Sequence, residues 1–120
     1  MSVRVLVVDD QPIMRSATRS LLEAMREFEA VGEACSGVEA LTAVERLDPD
    51  LVLLDVRMPD MDGVEAASRI AAGRHRAVVV LMSVDPRAEP QTSTAAAFVA
   101  KELLKPALLR DLWARHAPSR

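Results

Sequence analysis

The stretch LLDVRMPDMDG, residues 53–63, ends an apolar run in an aspartate and follows it with a turn-rich loop. The run 51–55 (LVLLD) is apolar up to Asp55, as expected for a parallel-sheet strand that is covered on both faces. Pro59 and Gly63 predict a shaped turn into the next helix, because proline fixes φ and glycine permits a tight bend. The stretch therefore predicts a buried strand that delivers one carboxylate to the edge of a sheet.

The rest of the chain alternates short apolar runs with segments of helical period. The predicted strands are residues 3–8, 29–34, 51–55, 77–82 and 97–100. The predicted helices are residues 12–25, 36–47, 63–73 and 106–116. The βα unit recurs five times, which predicts an α/β fold with a parallel sheet and helices on both faces.

Two of these helices have apolar residues at helical spacing, and we expect those residues to face the core. In the first helix they are Ile13, Ala17, Leu21 and Met25. In the second they are Val38, Leu41, Val44 and Leu47, with Ser36 as the expected N-cap.

Length and charge limit the classes of function. A chain of 120 residues fits a single domain, taken here as residues 1–120 without an effector domain. A net charge of −3 and the lack of a long apolar run argue against binding to nucleic acid or to membranes. Cys35 is the only cysteine, so we expect no disulfide, a reducing cytoplasmic location, and a small side chain that is at least half-buried.

Polar residues stand at four of the five predicted strand ends: Asp9, Asp10, Asp55, Ser83 and Lys101. Ligands of open α/β sheets bind beyond the carboxyl ends of the strands, so we expect these side chains to converge. Two carboxylates about 5 Å apart repel by roughly 3 kcal/mol at an effective dielectric constant near 20, which a divalent cation would relieve. Carboxylate oxygens suit Mg²⁺, and an ammonium and a hydroxyl suit phosphoryl oxygens. The set predicts phosphoryl transfer to a carboxylate nucleophile.

Four motifs resemble those of the response-regulator receiver domains of two-component signalling. They are VLVVDDQPIMR (5–15), LLDVRMPDMDG (53–63), VLMS (80–83) and AFVAKELLKPALL (97–109). The resemblance implies a flavodoxin-like, doubly wound (βα)5 fold with a five-stranded parallel sheet in the order 2-1-3-4-5.

The resemblance further implies the residues of a phosphoacceptor site. Asp55 would accept a phosphoryl group from a phosphohistidine of a sensor histidine kinase or phosphotransfer protein. Mg²⁺ would bind Asp10 and Asp55 directly, Asp9 through water, and the backbone carbonyl of Arg57.

The other implied roles belong to residues of the last two strands. Ser83 would hydrogen-bond the phosphoryl group, and the rotamer of Phe98 would follow the position of Ser83. Lys101 would pair with a phosphoryl oxygen. We assign this role to Lys101 because it follows a strand end, whereas Lys105 lies beside the first turn of the last helix.

The segment 84–96 departs from the family, because it is short and contains Pro86 and Pro90. We expect the fourth helix of the family to be shortened or irregular here. Partner contacts would then shift to the first and last helices, with a homodimer through those helices as one expected form.

Acidic residues around the site carry further expectations. Asp60 and Asp62 are expected in solvent, with Asp62 making a local backbone hydrogen bond before Gly63. An ion pair between Arg57 and Asp85 is expected to overhang the site and to set the phosphoryl lifetime.

The leading functional reading is a phosphorylation-dependent signalling switch, which is not an enzyme in the sense of turnover. Its output would be a separate protein or an effector domain outside this chain. One alternative is an interaction module that works without phosphorylation. Another is a small Mg²⁺-dependent phosphatase, against which the lack of a cap domain and of a second general acid argues.

Overall fold

The computed structural model describes residues 2–118, which form one sheet and four α-helices. The strands are β1 (Val3–Val8), β2 (Phe28–Ala34), β3 (Leu51–Asp55), β4 (Val78–Ser83) and β5 (Ala97–Ala100). The α-helices are α1 (Pro12–Glu23), α2 (Gly37–Leu47), α3 (Gly63–Ala72) and α4 (Pro106–His116). Short 3₁₀ turns occupy Pro86–Ala88 and Lys101–Leu103.

The sheet has five parallel strands in the order β2-β1-β3-β4-β5, as the resemblance predicted. The register aligns the carboxyl ends of neighbouring strands. Val8 pairs with Leu54, so Asp9 and Asp55 follow at the same level of the sheet. Ser83 pairs with Ala100, directly before Lys101. The pairing therefore delivers the polar strand-end residues to one edge.

Two apolar cores lie on opposite faces of the sheet, and the three central strands β1, β3 and β4 are largely buried between them. One face packs against α2 and α3 through side chains such as Leu54, Val44 and Ile70. The other packs against α1 and α4, where Leu22 and Leu109 are fully buried. Burying one such leucine stabilises the fold by about 1.5–3 kcal/mol. The doubly wound architecture predicted from the βα pattern is confirmed.

The buried face of α1 differs from the predicted one. Ile13 is 82% exposed and Ala17 is also exposed, whereas Thr18 and Leu22 are buried. Thr18 can occupy the apolar face because its hydroxyl donates a hydrogen bond to the Met14 carbonyl, 3.0 Å away. The predicted stripe was therefore wrong at its first two positions.

The start of α2 also differs in part from the prediction. Ser36 is the N-cap as expected, and its hydroxyl accepts a hydrogen bond from the Glu39 amide. Val38, however, is 57% exposed, and the buried face runs through Ala40, Ala43 and Val44. The buried face of α2 is thus made mainly of small residues, and Val38 lies outside it.

The segment 84–96 contains only the 3₁₀ turn Pro86–Ala88 and then irregular chain, which confirms the predicted loss of a regular fourth helix. Proline at two positions and a run of poor helix formers account for this. Among the helices of residues 2–118, none combines the length and the apolar character that crossing a bilayer requires.

Candidate functional site

The carboxyl ends of β1, β3 and β5 bring two carboxylates and one ammonium into direct contact. Nζ of Lys101 lies 2.5 Å from Oδ2 of Asp9 and 3.2 Å from Oδ2 of Asp55. The lysine side chain is only 6% exposed, and the two aspartates are buried. A single buried cation thus joins residues that are 46 and 92 positions apart in the chain.

Asp10 completes an acidic cluster at this edge. One carboxylate oxygen from each of Asp9, Asp10 and Asp55 lies within 4.8 Å of the others. Asp9 and Asp55 are buried, while Asp10 is exposed to solvent. The cluster therefore has a buried floor and an open side from which a ligand can approach.

Backbone groups hold the two buried carboxylates in place. The Gln11 amide donates to Oδ1 of Asp9 at 3.0 Å, and the Arg57 amide donates to Oδ1 of Asp55 at 3.2 Å. Each carboxylate therefore has one oxygen on a backbone N–H and the other on Lys101. This arrangement fixes the direction in which the Asp55 carboxylate faces.

Burial raises the pKa of the Asp55 carboxyl above its ordinary value, because the charged form loses solvation. The Lys101 ammonium and the Arg57 amide act in the opposite direction, and the charge of Asp9 adds to the increase. Among the groups that lower the pKa of Asp55, the Lys101 ammonium thus has the largest effect.

Ser83 lies on β4, the strand next to that of Asp55, and Phe98 lies on β5, one strand further along the sheet. Ser83 is buried at the end of β4, and its hydroxyl accepts a hydrogen bond from the Asp85 amide at 3.1 Å. Phe98 is half-buried and lines a groove of about 210 Å³ with Leu81 and Pro90. The structure thus places both residues on the strands predicted for them.

The structure brings Lys101 to the acidic cluster, and Lys105 lies away from it. Lys105 is exposed and precedes α4 as its N-cap residue. The predicted ion pair between Arg57 and Asp85 is wrong. Asp85 instead pairs with Arg87, whose Nε lies 3.1 Å from Oδ1 of Asp85. A partner two residues away costs little chain entropy, and Arg57 remains exposed.

Gly63 allows the loop after Asp55 to fold back on the strand. A Cβ at this position would lie 2.4 Å from the Asp55 carbonyl oxygen and 2.8 Å from Cα of Val56. The Gly63 amide donates to the Val56 carbonyl at 2.7 Å, which closes the loop. The glycine is therefore needed for close approach of two backbone segments.

The two loop aspartates are both helix caps. Asp62 accepts a hydrogen bond from the Glu65 amide at 2.9 Å, the local bond predicted for it. Asp60 is exposed as expected, but its two oxygens also accept hydrogen bonds from the amides of Gly37 and Val38. Sequence reasoning missed this contact, since its partners lie 22 and 23 residues earlier.

Cys35 is exposed rather than half-buried, which corrects the expectation for it. Its Sγ lies 3.4 Å from Oε2 of Glu39, a residue of the first turn of α2. The cysteine directly follows β2, which is an edge strand of the sheet.

The acidic cluster fits a hard divalent cation. Its donors are all carboxylate oxygens, the ligand type that Mg²⁺ prefers, and the open side leaves room for the waters that Mg²⁺ retains. Three carboxylates against one ammonium also leave negative charge that a divalent cation would offset.

Comparison with known proteins agrees with this geometry. The family model described as "Response regulator receiver domain" matches residues 5–116. A protein-glutamate methylesterase/protein-glutamine glutaminase of Agrobacterium fabrum (strain C58 / ATCC 33970) is 43% identical over 84 residues. That match covers 70% of this chain and 24% of the relative. The chain thus matches only about a quarter of the length of that curated relative.

Solved structures show the same fold. The receiver domain of a response regulator described as NarL, from Mycobacterium tuberculosis, superposes with a TM-score of 0.82 at 32% identity, covering 92% of this chain and 96% of that one. The response regulator TrrA from Thermotoga maritima, solved in complex with Mg²⁺–BeF, gives a TM-score of 0.82 at 28% identity, covering 95% and 98%. With the family model matching nearly its whole length, this chain belongs to the response regulator receiver domain family.

Proposed function

We propose that this domain is a phosphorylation-dependent switch in which Asp55 accepts a phosphoryl group from the phosphohistidine of a sensor histidine kinase or phosphotransfer protein. The observation that carries the proposal is the buried Lys101 ammonium, which contacts both Asp9 and Asp55 beside a third carboxylate. Membership of the receiver family supports phosphoryl-accepting signalling in general.

Asp55 has the position that a nucleophile needs. One carboxylate oxygen attacks phosphorus, a P–O bond forms, and the P–N bond to the donor imidazole breaks with its electron pair leaving on nitrogen. The Arg57 amide orients the Asp55 carboxylate, and Lys101 lies where it can donate to an oxygen of the transferred group. The product is an aspartyl phosphate on this chain, so the chemistry is self-modification and not turnover.

Asp10, Asp55, Asp9 through water, and the carbonyl of Arg57 are the proposed Mg²⁺ ligands. A bound Mg²⁺ would neutralise charge on the phosphoryl oxygens during transfer. The complex of TrrA with Mg²⁺–BeF supports this assignment by similarity.

Ser83 and Phe98 are proposed as the residues that register phosphorylation. The Ser83 hydroxyl accepts the Asp85 amide at 3.1 Å and can turn its proton toward a phosphoryl oxygen. Phe98 lines a groove next to irregular chain, so its side chain has space for a second rotamer.

The partner surface is proposed from exposed apolar side chains. Four large hydrophobic residues are exposed among residues 2–118, and each follows the carboxyl end of a strand: Ile13, Val38, Val84 and Leu103. They lie in segments that leave the sheet at the edge that holds the acidic cluster. This arrangement supports docking of the phosphohistidine-bearing protein at that edge. The proposed cytoplasmic location rests on membership of the receiver family.

The output is proposed to be a separate protein or an effector domain outside the 1–120 receiver domain, without direct contact of this chain with nucleic acid or membrane. A homodimer through α1 and α4 is a further proposed form, supported by the exposed Ile13 and Ala17 on α1. The second candidate function is an interaction module that needs no phosphorylation. The irregular segment 84–96 favours this alternative, because it lacks the regular fourth helix of the family, through which a phosphorylation-dependent change could be passed to a partner.

Incubation with acetyl phosphate and Mg²⁺, followed by intact mass, separates the two candidate functions. The wild type should gain one phosphoryl group, and Asp55→Asn should gain none. Asp62→Asn is the matched control, because asparagine keeps an oxygen for the Glu65 amide and should leave phosphorylation intact. An unmodified wild type, or equal modification of Asp55→Asn, would favour the interaction module.

A further inference from the structure

Asp60 links the loop that follows Asp55 to the beginning of α2. Its Oδ1 accepts the Gly37 amide at 3.0 Å, and its Oδ2 accepts the Val38 amide at 2.9 Å. These are the first two amides of the helix, which have no partner within a helix. The same hydrogen bonds hold the pKa of Asp60 below its ordinary value, the bond from Val38 contributing most.

A second contact between the same two segments is apolar and close. A Cβ at Gly37 would lie 2.8 Å from Cβ of Met61 and 3.2 Å from the Met61 carbonyl oxygen. The first residue of α2 therefore has no room for a side chain, because Met61 occupies that space. Polar and packing contacts together seat the end of the loop on α2.

The contact of Asp60 and Met61 with α2 holds the far end of the loop that follows Asp55. At the inner end, the Val56 amide donates to the Met82 carbonyl, and the Arg57 amide donates to Asp55. Between Val56 and Met61, Asp60 is the only residue whose side chain hydrogen-bonds another helix or strand of residues 2–118. The loop is thus held at the phosphoacceptor and at α2.

We propose that Asp60 is a positioning residue that couples occupancy of the Asp55 site to the first turn of α2. The inference rests on the proposed function, because it requires that Asp55 and the Arg57 carbonyl bind ligand. A ligand at these groups acts on a short loop whose far end is fixed to Gly37 and Val38. Occupancy of the site therefore tightens the Asp60 contact, and α2 offers an output route that does not need a fourth helix.

Thermodynamic linkage makes the coupling reciprocal. If ligand at Asp55 strengthens the contact between Asp60 and α2, then that contact must strengthen ligand binding by the same factor. Loss of residues that orient metal ligands commonly costs about tenfold or more in affinity. We therefore expect Asp60→Ala to weaken binding of Mg²⁺ and beryllofluoride at Asp55 by about tenfold.

The test combines ¹⁹F NMR of beryllofluoride binding in Mg²⁺ with hydrogen exchange of single amides. In the wild type, loading should slow exchange of the Gly37 and Val38 amides. In Asp60→Ala, both amides should exchange faster even without ligand, and loading should no longer protect them. Asp60→Asn keeps one acceptor, should fold, and should give an intermediate effect.

Ser36→Ala is the matched control. It removes the other cap of the same helix end, the bond from the Glu39 amide, without touching the loop. It should free the Glu39 amide but leave beryllofluoride affinity and ligand-induced protection of Gly37 and Val38 unchanged. Equal losses in Ser36→Ala and Asp60→Ala would overturn the coupling, because they would show a general effect of fraying α2.

The two proposals fail in distinguishable ways. If beryllofluoride does not bind the wild type, the proposed function fails and the coupling fails with it. If beryllofluoride binds but the Gly37 and Val38 amides are unaffected, or Asp60→Ala binds with wild-type affinity, only the coupling is overturned.

Discussion

The loops after β3 and β4 start from neighbouring strands at the same edge of the sheet, yet they are held by different kinds of contact. The β3 loop is fixed to other elements, since Val56 bonds β4, Asp60 bonds α2 and Asp62 caps α3. The β4 loop is fixed mainly to itself, through contacts such as those of Asp85 with Arg87.

The more firmly held β3 loop is the one that borders the proposed metal and phosphoryl site. The β3 loop directly follows Asp55 and carries the Arg57 carbonyl, and the geometry of both groups must be maintained for metal binding. Within residues 2–118, the β4 loop bonds the sheet near its two ends, through the Asp85 amide to the Ser83 hydroxyl and the Ala96 amide to the Val79 carbonyl. The loop therefore has few contacts to lose when it changes conformation.

The largest effect on the rate of phosphoryl transfer is expected when the ion pair between Asp55 and Lys101 is removed. Lys101→Ala removes the only ammonium that contacts Asp55 within residues 2–118, so we expect phosphoryl transfer from acetyl phosphate to slow by about a hundredfold. Lys105→Ala is the control and should change the rate by less than about twofold, because Lys105 is exposed and makes no cap hydrogen bond. A larger effect of Lys105→Ala would reverse the assignment of the two lysines.

The next effect concerns the tight closure of the β3 loop. Gly63→Ala would drive a methyl group into the backbone of Asp55 and Val56, so we expect it to lower the free energy of unfolding by about 2 kcal/mol. Gly73→Ala is the matched control, since its Cβ would meet nothing closer than 3.4 Å. Urea denaturation measures both, and equal stabilities would show that the loop can open without cost.

A smaller effect compares the two loops directly by insertion. Four Gly/Ser residues between Pro90 and Gln91 lengthen a loop that is held to itself, so the cost should stay below about 0.5 kcal/mol. The same insertion between Pro59 and Asp60 should cost several times more, because it displaces Asp60 from α2. Urea denaturation of both variants would contradict the comparison if the two costs were equal.

The smallest effect lies away from both loops and depends on pH. Nδ1 of His75 lies 2.7 Å from Asp48, and Nε2 lies 3.2 Å from Glu45, which also approaches Arg74. These hydrogen bonds, chiefly that with Asp48, raise the pKa of His75 above its ordinary 6.5. The protonated form is thus the stabilised one.

The sign of this effect follows from linkage. Because the pKa is raised on folding, the stabilisation is complete below pH 6.5 and is lost as pH rises through the higher folded value. The difference in Tm between wild type and His75→Asn should therefore be largest near pH 5.5 and shrink toward pH 8.5. A difference that grows with pH would contradict this ion-pair arrangement.

The sequence predicted the architecture well, because the period of the apolar residues and the polar strand ends are local signals. Strand order came from the family resemblance. The predicted buried face of α1 was wrong because it was based on apolar residues alone. Thr18 lies on the buried face, where its hydroxyl donates a hydrogen bond within the helix.

Contacts between distant segments explain the other misses. Asp60 reaches α2 only because the β3 loop folds back over Gly37, and nothing near Asp60 in the sequence indicates this. Asp85 was assigned to Arg57 across two loops, whereas the structure pairs it with its close neighbour Arg87. Placement of Asp9, Asp10, Asp55 and Lys101 at one edge agrees with the sequence-based expectation, while their chemical roles remain predictions.

A Mg²⁺ titration followed by amide chemical shifts tests the acidic cluster most directly. The wild type should show saturable shifts centred on residues 9–11 and 55–58, and Asp10→Ala should weaken binding at least about tenfold. Asp50→Asn, at the opposite end of β3, should bind Mg²⁺ like the wild type. Shifts centred elsewhere, or unchanged affinity in Asp10→Ala, would contradict a metal and phosphoryl site at this edge of the sheet.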